Sequence, residues 1–478
     1  MMTDKTNNRI MIAAVSSGCG KTVITTGLLE VLKRKGLAPV SFKCGPDYID
    51  PMFHRQVLGI DSLNLDSYFL PEEGIRELVA GHTGGCAIIE GVMGLYDGTC
   101  VSDIKGSSYE IAKITSTPVI LVVDAKGAGR TIASVIKGIA ADDKDRLIKG
   151  VILNRISAHF YEKLRPYLTK ELKDAGMDIE ILGGIPKDEC MQFSSRYLGL
   201  TMPEETENIR EKISSMADHV ENCCDIEAVL KIAEHAPKIC TAGEQQKRTK
   251  PPKTPKHTVS LAVAGDEAFC FYYHENIRLL EDLGVRIVYF SPIRDEGLPE
   301  DISGILIGGG YPELHLKALA ENESMKRSLR AAIDAGMPTL AECGGFMYLH
   351  ETIEDKSGTK YPMVGAVKGN CRYSGHIAGL GYSEIRECGK DDPNDFHSHL
   401  AGMRGHEFHY YESTCDGCDA LLYKPSSDAT YRSMIAKGDS LWGFLHLYYP
   451  SHPEAMEAFV RAMKNRTDVQ RQRKENGS

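Results

Sequence analysis

The sequence predicts an α/β protein with a doubly wound, mostly parallel sheet in its N-terminal half and a second α/β unit in its C-terminal half. Three observations lead to this prediction. Short apolar runs alternate with segments of helical periodicity, which is typical of parallel sheets covered by helices. Each half contains a glycine-rich turn between an apolar run and a helical segment. A basic, proline-rich stretch at 241–257 separates the halves and has the composition of a linker.

The composition excludes several classes of function. Hydrophobic residues make up 42% and charged residues 26%, as in an ordinary globular chain. A net charge of −10 argues against nucleic acid as the main partner. The polar stretch 1–8 has no signal-peptide pattern, and no apolar run approaches the ~18 residues of a membrane span. We therefore expect a cytoplasmic protein with no membrane or nucleic-acid partner, in which most of the 14 cysteines are reduced.

A phosphate-binding loop is predicted at 16–22, Ser-Ser-Gly-Cys-Gly-Lys-Thr. The apolar run 10–15 before it predicts a buried strand, and the segment 23–35 after it has helical periodicity. Gly18 and Gly20 allow backbone N–H groups to converge on phosphate oxygens at a helix N-terminus. This order of strand, glycine-rich turn and helix is the context that such a loop requires.

Two side chains of the loop predict its chemistry. Lys21 can reach the β- and γ-phosphates of a nucleotide, and the Thr22 hydroxyl can hold Mg²⁺. The usual spacing has glycine where Val15 stands. A glycine-rich turn with an ordinary surface lysine is the alternative, and the flanking strand and helix make it the less favoured one.

Polar side chains follow the predicted strands of the N-terminal half. Ligands of doubly wound sheets bind at the carboxyl ends of the strands, so we expect these side chains to lie near the phosphate loop. Glu90 ends a strand at 87–89 and is the expected second Mg²⁺ contact. Each residue alone is also typical of a solvated loop. The residues in these positions are Lys21, Asp47, Asp50, Glu90, Asp97 and Asn154.

A nucleophile is predicted in the second half at Cys343. It follows a short strand and precedes Gly344 and a helical run from Phe346, a sharp turn of the kind that exposes a thiol at a helix N-terminus. The turn 308–310, Gly-Gly-Gly, can aim backbone N–H groups at an oxyanion. Together these features indicate covalent catalysis by a thiol.

Histidines and further cysteines of this half have more than one interpretation. His446 ends a predicted strand at 441–446 and is either the base that serves the nucleophile or a structural histidine. The segment 404–410 contains two histidines and a glutamate, for which substrate contact or a domain interface is favoured over metal binding. Cys415 and Cys418 have metal-ligand spacing, but without a second pair nearby a turn with two free thiols is favoured.

In these motifs the chain resembles the cobyrinic acid a,c-diamide synthase family of glutamine-dependent amidotransferases. The resemblance extends from Ile10 to about Pro453. Its most specific motifs are the Gly-Pro-Asp-Tyr-Ile-Asp-Pro block and the Glu-Gly-Val-Met-Gly block. The segments that carry it are 17–22, 42–51, 90–98, 308–313, 341–345 and 405–410.

The resemblance implies a fold and a reaction. It implies an N-terminal synthetase domain similar to dethiobiotin synthetase and a C-terminal class I-type glutamine amidotransferase domain. ATP is the implied cosubstrate, Mg²⁺ the cofactor, and L-glutamine and cobyrinic acid the other substrates. The implied reaction is amidation of the a and c acetate carboxylates through acyl phosphates, in cobalamin biosynthesis. A homodimer is an option that the sequence leaves open.

The predicted domain boundaries follow from the linker and from this resemblance. An ATP-dependent synthetase domain is expected at 1–240, followed by the linker at 241–257. The glutamine amidotransferase domain is expected at 258–460 and a polar C-terminal tail at 461–478.

The resemblance also implies a role for each candidate residue. The expected ATP contacts are Gly18, Gly20, Lys21, Thr22 and Asn154, and the expected Mg²⁺ ligands are Thr22, Asp47 and Glu90. The residues expected at the substrate or at the transferred phosphoryl group are Lys43, Tyr48, Asp50 and Asp97. The implied glutaminase residues are the nucleophile Cys343, the base His446 and the oxyanion donors Gly309, Gly310 and Gly344. His446 and the start of the following helix are expected to lower the pKa of the thiol.

Two departures from the class I pattern bear on the second domain. Tyr448 stands where the usual His-x-Glu has its glutamate, and Ala341 replaces the first glycine of Gly-x-Cys-x-Gly. They predict a slow glutaminase unless the two activities are coupled.

Two other functions are compatible with part of the sequence. The alternative substrate is nickel-sirohydrochlorin, amidated at the equivalent a and c positions. A more distant alternative is a nucleotide-switch protein of the partitioning kind, which would not need Cys343 or a second domain.

Overall fold

The computed structural model describes residues 8–81, 85–191, 203–241, 258–389 and 395–476. The chain forms two compact units, 1–247 and 248–478. The boundary falls inside the predicted linker, of which residues 242–257 lie outside the described residues.

The first unit contains a seven-stranded sheet. Its strands are β1 (Arg9–Ala14), β2 (Val40–Cys44), β3 (Ser62–Leu65), β4 (Ala87–Glu90), β5 (Val119–Asp124), β6 (Ile148–Asn154) and β7 (Glu180–Ile185). They lie in the order β3-β2-β4-β1-β5-β6-β7, and every neighbouring pair is parallel. The doubly wound parallel sheet that the sequence predicts is confirmed.

Helices cover both faces of this sheet. They are α1 (Lys21–Arg34), α2 (Ile49–Phe53), α3 (Glu72–Gly81), α4 (Ser108–Thr115), α5 (Thr131–Asp142), α6 (Ala158–Asp174), α7 (Pro203–Cys223) and α8 (Ile226–Glu234). Alternate side chains of β1 enter two separate apolar cores, with Met11 and Ala13 in one and Ile10 and Ile12 in the other. Burial on both faces explains why the strands are continuous apolar runs.

One helix of the first unit differs from its prediction. The segment 206–236 has the periodicity of one amphipathic helix, but it forms α7 and α8. The Asp225 side chain accepts a hydrogen bond from the backbone N–H of Ala228 and caps the start of α8. A side chain that competes for helical N–H groups in this way starts a new helix.

The second unit contains a six-stranded, a four-stranded and a five-stranded sheet. Their strands are β8 (Val259–Ala264), β9 (Val285–Phe290), β10 (Gly304–Ile307), β11 (Thr339–Glu342), β12 (His350–Glu354), β13 (Lys360–Pro362), β14 (Val367–Tyr373), β15 (Gly379–Cys388), β16 (Arg404–His409), β17 (Tyr411–Ser413), β18 (Ala420–Lys424), β19 (Ala429–Ser433), β20 (Ile435–Lys437), β21 (Ser440–Gly443) and β22 (His446–Leu447). The strand orders are β20-β21-β11-β10-β8-β9, β13-β12-β14-β17 and β19-β18-β15-β16-β22. The helices are α9 (His274–Asp282), α10 (Leu316–Glu321), α11 (Glu323–Asp334), α12 (Gly344–Leu349) and α13 (Pro453–Asn476).

Two segments of this unit differ from their predictions. The strand predicted at 441–446 divides, because β21 ends at Gly443 and β22 pairs with β16 in a different sheet. Helix α13 continues past residue 460, so residues 461–476 of the predicted polar tail are helical. Within the part of the chain that the structure describes, no helix is long and apolar enough to cross a membrane.

Candidate active sites

The phosphate loop connects β1 to α1. Gly18 and Gly20 have φ values of 76° and 96°, a region that side chains other than glycine rarely occupy. A Cβ atom on Gly20 would lie 2.3 Å from Nδ2 of Asn154. Gly20 therefore has both a conformational and a steric reason to be glycine, as the predicted loop requires.

Lys21 is held against the loop by backbone carbonyl groups. Its Nζ atom donates to the carbonyl of Met93 at 2.5 Å and to that of Ser16 at 3.3 Å. Burial lowers the pKa of Lys21, and the positive charge of Lys43 lowers it further. A buried ammonium group is stabilised when a phosphate group neutralises its charge, so the position of Lys21 suits a nucleotide.

Three side chains form a buried cluster at the carboxyl ends of β2 and β4. Lys43 and Glu90 occupy paired positions on these neighbouring strands. The Nζ atom of Lys43 lies 2.5 Å from Oδ2 of Asp50 and 2.6 Å from Oε1 of Glu90. We refer to Lys43, Asp50 and Glu90 as the lysine–carboxylate cluster.

Further groups surround this cluster. Asp47 lies 3.8 Å from Lys43 and accepts hydrogen bonds from the N–H groups of Ile49 and Asp50. The hydroxyl group of Thr22 donates to Oε1 of Glu90 at 2.5 Å. Sequence reasoning places these residues near the phosphate loop, and the hydrogen bond from Thr22 to Glu90 joins the loop to the cluster.

Burial and charge shift the pKa values in opposite directions. Burial raises the pKa of Glu90 to about 7 against the attraction of Lys43. Burial and the charge of Asp50 raise the pKa of Asp47 to about 6. For Asp50 itself, Lys43 outweighs burial and lowers the pKa. The pKa of Lys43 is raised well above its usual value, because the carboxylates outweigh burial. The region therefore has more carboxyl groups than one lysine neutralises.

One oxygen of Glu90 is available to a cation. The Oε2 atom is buried and has no hydrogen-bond partner among the described residues. Carboxylate and hydroxyl oxygens are the donors that Mg²⁺ prefers, and an unpaired buried carboxylate oxygen is costly unless it is coordinated. The donor chemistry of Thr22, Asp47 and Glu90 thus suits a magnesium ion, and their assignment as its ligands stays a prediction.

Asn154 and Asp97 support the loop in this structure. The side-chain amide of Asn154 donates to the carbonyl of Cys19 at 2.8 Å, and its oxygen accepts from the N–H of Arg155. Asp97 accepts a hydrogen bond from the N–H of Gly94 at 2.8 Å. Its negative charge offsets part of the lowering of the Lys21 pKa that burial causes. The expected contact of Asn154 with ATP stays a prediction.

Tyr48 and Arg155 complete this region. Tyr48 directly precedes α2, and its role at the substrate stays a prediction. Arg155 donates to the carbonyl of Gly18 at 3.1 Å and forms an ion pair with Asp124. Sequence reasoning missed Arg155, although Asp124 and Asn154 at neighbouring strand ends are a signal that could have found it.

Cys343 lies in a strained turn between β11 and α12. Its φ of 49° and ψ of −104° are unusual for a residue other than glycine. Its N–H donates to the carbonyl of Gly443 at 2.8 Å, which fixes the turn to β21. A Cβ on Gly345 would lie 2.0 Å from the carbonyl oxygen of Ile307, so the chain can turn this sharply only with glycine there. The predicted elbow is the geometry observed.

Three glycines lie beside this turn. A Cβ on Gly344 would lie 3.3 Å from the backbone nitrogen of Gly310, which places these two residues side by side. A Cβ on Gly309 would lie 2.2 Å from Cε1 of His446. The three predicted oxyanion donors and the predicted base are thus neighbours of the elbow, and their roles stay predictions.

His446 is buried among other histidines. It pairs with His406 across β22 and β16, and His409 stacks on Phe444 with 3.9 Å between ring centroids. Burial, together with the charges of His406 and His409, lowers the pKa of His446 to about 3. The ring is therefore neutral at rest, which is the form that a general base needs.

The pKa of Cys343 moves in the direction opposite to the prediction. We expected His446 and the helix start to lower it, but burial and the nearby Glu313 raise it. A buried thiolate loses its hydration, and one turn of helix does not compensate for that loss. The nucleophile is therefore a thiol at rest, and it must transfer its proton during the reaction.

A carboxyl group that the sequence-based site did not include lies next to His446. Oε2 of Glu342 is 3.9 Å from Nδ1 of His446, and Oε1 accepts from the hydroxyl group of Tyr449 at 3.0 Å. Burial raises the pKa of Glu342 to about 8. The only signal in the sequence is its position directly before Cys343.

The remaining candidate residues are the cysteine pair and the segment 404–410, whose contact with a substrate or a domain interface stays a prediction. Cys415 and Cys418 are exposed free thiols, as favoured from the sequence. In the segment 404–410, Glu407 accepts from the hydroxyl of Tyr431 at 3.3 Å. Within the described ranges the only cluster of three or more His, Cys, Asp and Glu side chains whose ligand atoms lie within 4.8 Å of one another is the partly exposed trio of Asp188, Cys190 and His219.

Comparison with known proteins identifies two kinds of domain in this chain. The CobQ/CobB/MinD/ParA nucleotide binding domain matches residues 10–197, and the CobB/CobQ-like glutamine amidotransferase domain matches residues 260–437. Cobyrinate a,c-diamide synthase of Caldanaerobacter subterraneus is 38% identical, over 94% of this chain and 97% of the relative. The chain belongs to the cobyrinate a,c-diamide synthase family.

Other cobyrinate a,c-diamide synthases align over nearly the same length. That of Clostridium tetani is 36% identical over 94% of this chain and 99% of its own length, and that of Listeria innocua is 35% identical over 96% and 100%. The chain is thus a ligase of the glutamine amidotransferase type with a nucleotide-binding domain, as the sequence predicts. The match to an amidotransferase domain leaves the nucleotide-switch alternative without support.

The lysine–carboxylate cluster predicts a measurable loss of stability. Replacing Lys43 by Met leaves Asp50 and Glu90 buried without their cation, which costs about 3 kcal/mol. For a unit of this size we expect the melting temperature at pH 7.5 to fall by roughly 6–12 °C in calorimetry. The difference from wild type should shrink as the pH falls through the raised pKa of Glu90, because a protonated Glu90 needs no cation.

The matched control is Lys35→Met, which removes a half-exposed ion pair with Glu221 in the same unit. Such pairs contribute at most about 1 kcal/mol, so its melting temperature should change little. Equal losses in the two variants would contradict the assignment of the cluster as a buried ion network.

The contact of Gly309 with His446 predicts a specific loss of activity. Gly309→Ala must displace the imidazole, because its Cβ would lie 2.2 Å from Cε1. A displacement near 1 Å at a reacting group costs about a hundredfold in rate, so we expect a loss of this size in glutamine hydrolysis. The control is Gly297→Ala, where the nearest atom is 3.4 Å away. Wild-type rates in Gly309→Ala would mean that His446 is not held by this turn.

Proposed function

We propose that this protein amidates the a and c acetate carboxylates of cobyrinic acid, with ATP activating each carboxylate and glutamine supplying the nitrogen. The observation that carries the proposal is the presence of two complete sets of reacting groups in one chain. A phosphate loop is joined to buried carboxylates through Thr22, and a strained Cys343 lies among glycines and a neutral His446. The names of the relatives that align over both units supply the substrate.

The first reaction makes an unreactive acid reactive. A carboxylate oxygen of the substrate attacks the γ-phosphorus of ATP, a new C–O–P linkage forms, and ADP leaves. Lys21 neutralises charge that spreads over the transferred phosphoryl group. Lys43 and Asp50, which are fixed to each other, provide a cation and an anion at the edge of the sheet to orient the substrate carboxylate. Asp97 and Tyr48 complete the expected substrate contacts.

Thr22, Asp47 and Glu90 would hold Mg²⁺ in this site. The ion supplies neutralisation of phosphate charge and alignment of the nucleotide. The unpaired Oε2 of Glu90 supports this assignment, because that atom gains a partner. Gly18, Gly20 and the rest of the loop bind the phosphates through backbone N–H groups, and Asn154 keeps the loop in shape through Cys19.

The second reaction releases ammonia from glutamine. His446 accepts the proton of the Cys343 thiol, and the sulfur attacks the side-chain amide carbon. The N–H groups of Gly309, Gly310 and Gly344 are the donors for the oxyanion, and one such donor contributes about 3 kcal/mol. The proton then passes to the leaving nitrogen, ammonia departs, and water hydrolyses the thioester to glutamate. Ammonia attacks the acyl phosphate and expels phosphate, which completes the amide.

The division of labour between the two reactions is testable with Cys343→Ala. We expect loss of amidation with glutamine and retention of amidation with added ammonium salt, because only the first requires the thiol. Amide formation on cobyrinic acid in the presence of ATP and Mg²⁺ is followed by mass spectrometry. Cys388→Ala, which removes another buried free thiol, is the control and should keep both activities.

Two results would contradict the proposal. If Cys343→Ala loses both activities or keeps both, Cys343 is not the nucleophile that releases ammonia from glutamine. If wild-type enzyme amidates nickel-sirohydrochlorin faster than cobyrinic acid in the same assay, the assigned substrate is wrong while the two-site chemistry still holds.

A further inference from the structure

Glu342 has a position that the reaction described so far does not use. It is the last residue of β11, it directly precedes the nucleophile, and 7% of its surface is exposed. Ionisable residues with little exposure are uncommon unless they are paired. The groups that surround its carboxyl group therefore indicate what it does.

Three groups of one short segment converge on this carboxyl group. The Tyr449 hydroxyl donates to Oε1 at 3.0 Å, the backbone of Leu447 hydrogen-bonds the carboxyl group, and Nδ1 of His446 lies 3.9 Å from Oε2. The Tyr449 hydroxyl holds Oε1, and Oε2 is the oxygen that lies 3.9 Å from the imidazole nitrogen. The segment 446–449 is thus fastened to the residue that precedes the nucleophile.

This arrangement replaces a group that the sequence lacks. A class I-type triad has a glutamate two residues after its histidine, and Tyr448 occupies that position here. Tyr448 is buried and packs against the ring of Tyr273, at 5.2 Å between ring centroids. A carboxylate from another strand can do the same work, because only its place beside Nδ1 matters.

We propose that Glu342 is the positioning residue of the glutaminase, which orients His446 through Nδ1 and stabilises the imidazolium that forms when Nε2 takes the thiol proton. This inference rests on the proposed roles of Cys343 and His446.

The proton balance of the step is simple. The S–H bond of Cys343 breaks, an N–H bond forms at Nε2, and the electron pair on sulfur forms the bond to the amide carbon of glutamine. The same proton later passes from Nε2 to the leaving nitrogen, and the C–N bond breaks. In the active form of the enzyme Glu342 is a carboxylate during the whole step and carries the charge that balances the imidazolium.

The surroundings make such a counter-charge necessary. His446 is buried, so a proton on its ring loses its hydration, and burial lowers the pKa values of the neighbouring His406 and His409 as well. The charges of Glu313, after the glycine turn, and of Glu407, on β16, raise the pKa of Cys343. Burial and the nearby charge of Glu342 raise the pKa of Tyr272. Burial raises the pKa of Glu342 to about 8, so the active carboxylate form increases as the pH rises through that value.

The test compares Glu342→Gln with Glu342→Asp and with wild type. Gln keeps the size and can accept from Tyr449 but carries no charge, so we expect kcat for glutamine hydrolysis to fall about a hundredfold with little change in KM. The rise of kcat with pH between about 7 and 9 should disappear in Glu342→Gln. It should persist in Glu342→Asp at a reduced rate, because the charge is kept. Glu321→Gln, at a side chain that is 67% exposed, is the control.

Each outcome decides between the roles. Amidation with added ammonium salt should be unchanged in Glu342→Gln, and an equal loss with both nitrogen sources would show a merely structural role and overturn the inference. A wild-type kcat and pH profile in Glu342→Gln would also overturn it. Cys343→Ala is assayed in parallel, because activity of that variant with glutamine would refute the proposed function itself. Loss in Cys343→Ala with no effect in Glu342→Gln would refute only the role of Glu342.

Discussion

The direction of the strands is the constraint on which both sites depend. In each unit neighbouring parallel strands end at the same edge, so residues far apart in sequence meet there without a dedicated scaffold. Lys43 and Glu90 meet because β2 and β4 are parallel and in register, and Glu342 lies opposite Gly443 because β11 and β21 are. The same rule makes the loops after these strands the places where phosphate, carboxylate and amide chemistry can be arranged.

Burial of charge determines how each site is prepared. In the first unit a fully paired Lys43 keeps Asp50 ionised, while Glu90, which shares the same lysine, has a raised pKa and an unpaired oxygen. In the second unit burial leaves Cys343 as a thiol and His446 neutral. Each site thus contains buried polar or ionisable groups that the folded protein leaves uncompensated. A cation, a phosphate group or a transferred proton compensates them. This is preorganisation, because the protein bears the desolvation cost when it folds.

Backbone geometry contributes as much as charge. The φ of 49° at Cys343 costs on the order of 1–3 kcal/mol and persists only because hydrogen bonds and close contacts hold the turn. The N–H of Cys343 is bound to Gly443, and the contact of Gly345 with Ile307 leaves no room for a side chain. In the same way, Gly20 leaves room for the side chain of Asn154, and Gly309 leaves room for the ring of His446. The glycines therefore set distances between reacting groups.

The sequence by itself determined the doubly wound sheet, the phosphate loop and the elbow at Cys343, because alternating periodicity and local turn chemistry are properties of short segments. Tertiary structure alone decided which long-range neighbours meet. The break between α7 and α8, the transfer of His446 to a second sheet, the raised pKa of Cys343 and the approach of Glu342 to His446 all depend on packing between distant segments. Burial and through-space charge have no local signature, and a missing His-x-Glu does not reveal which carboxylate replaces it.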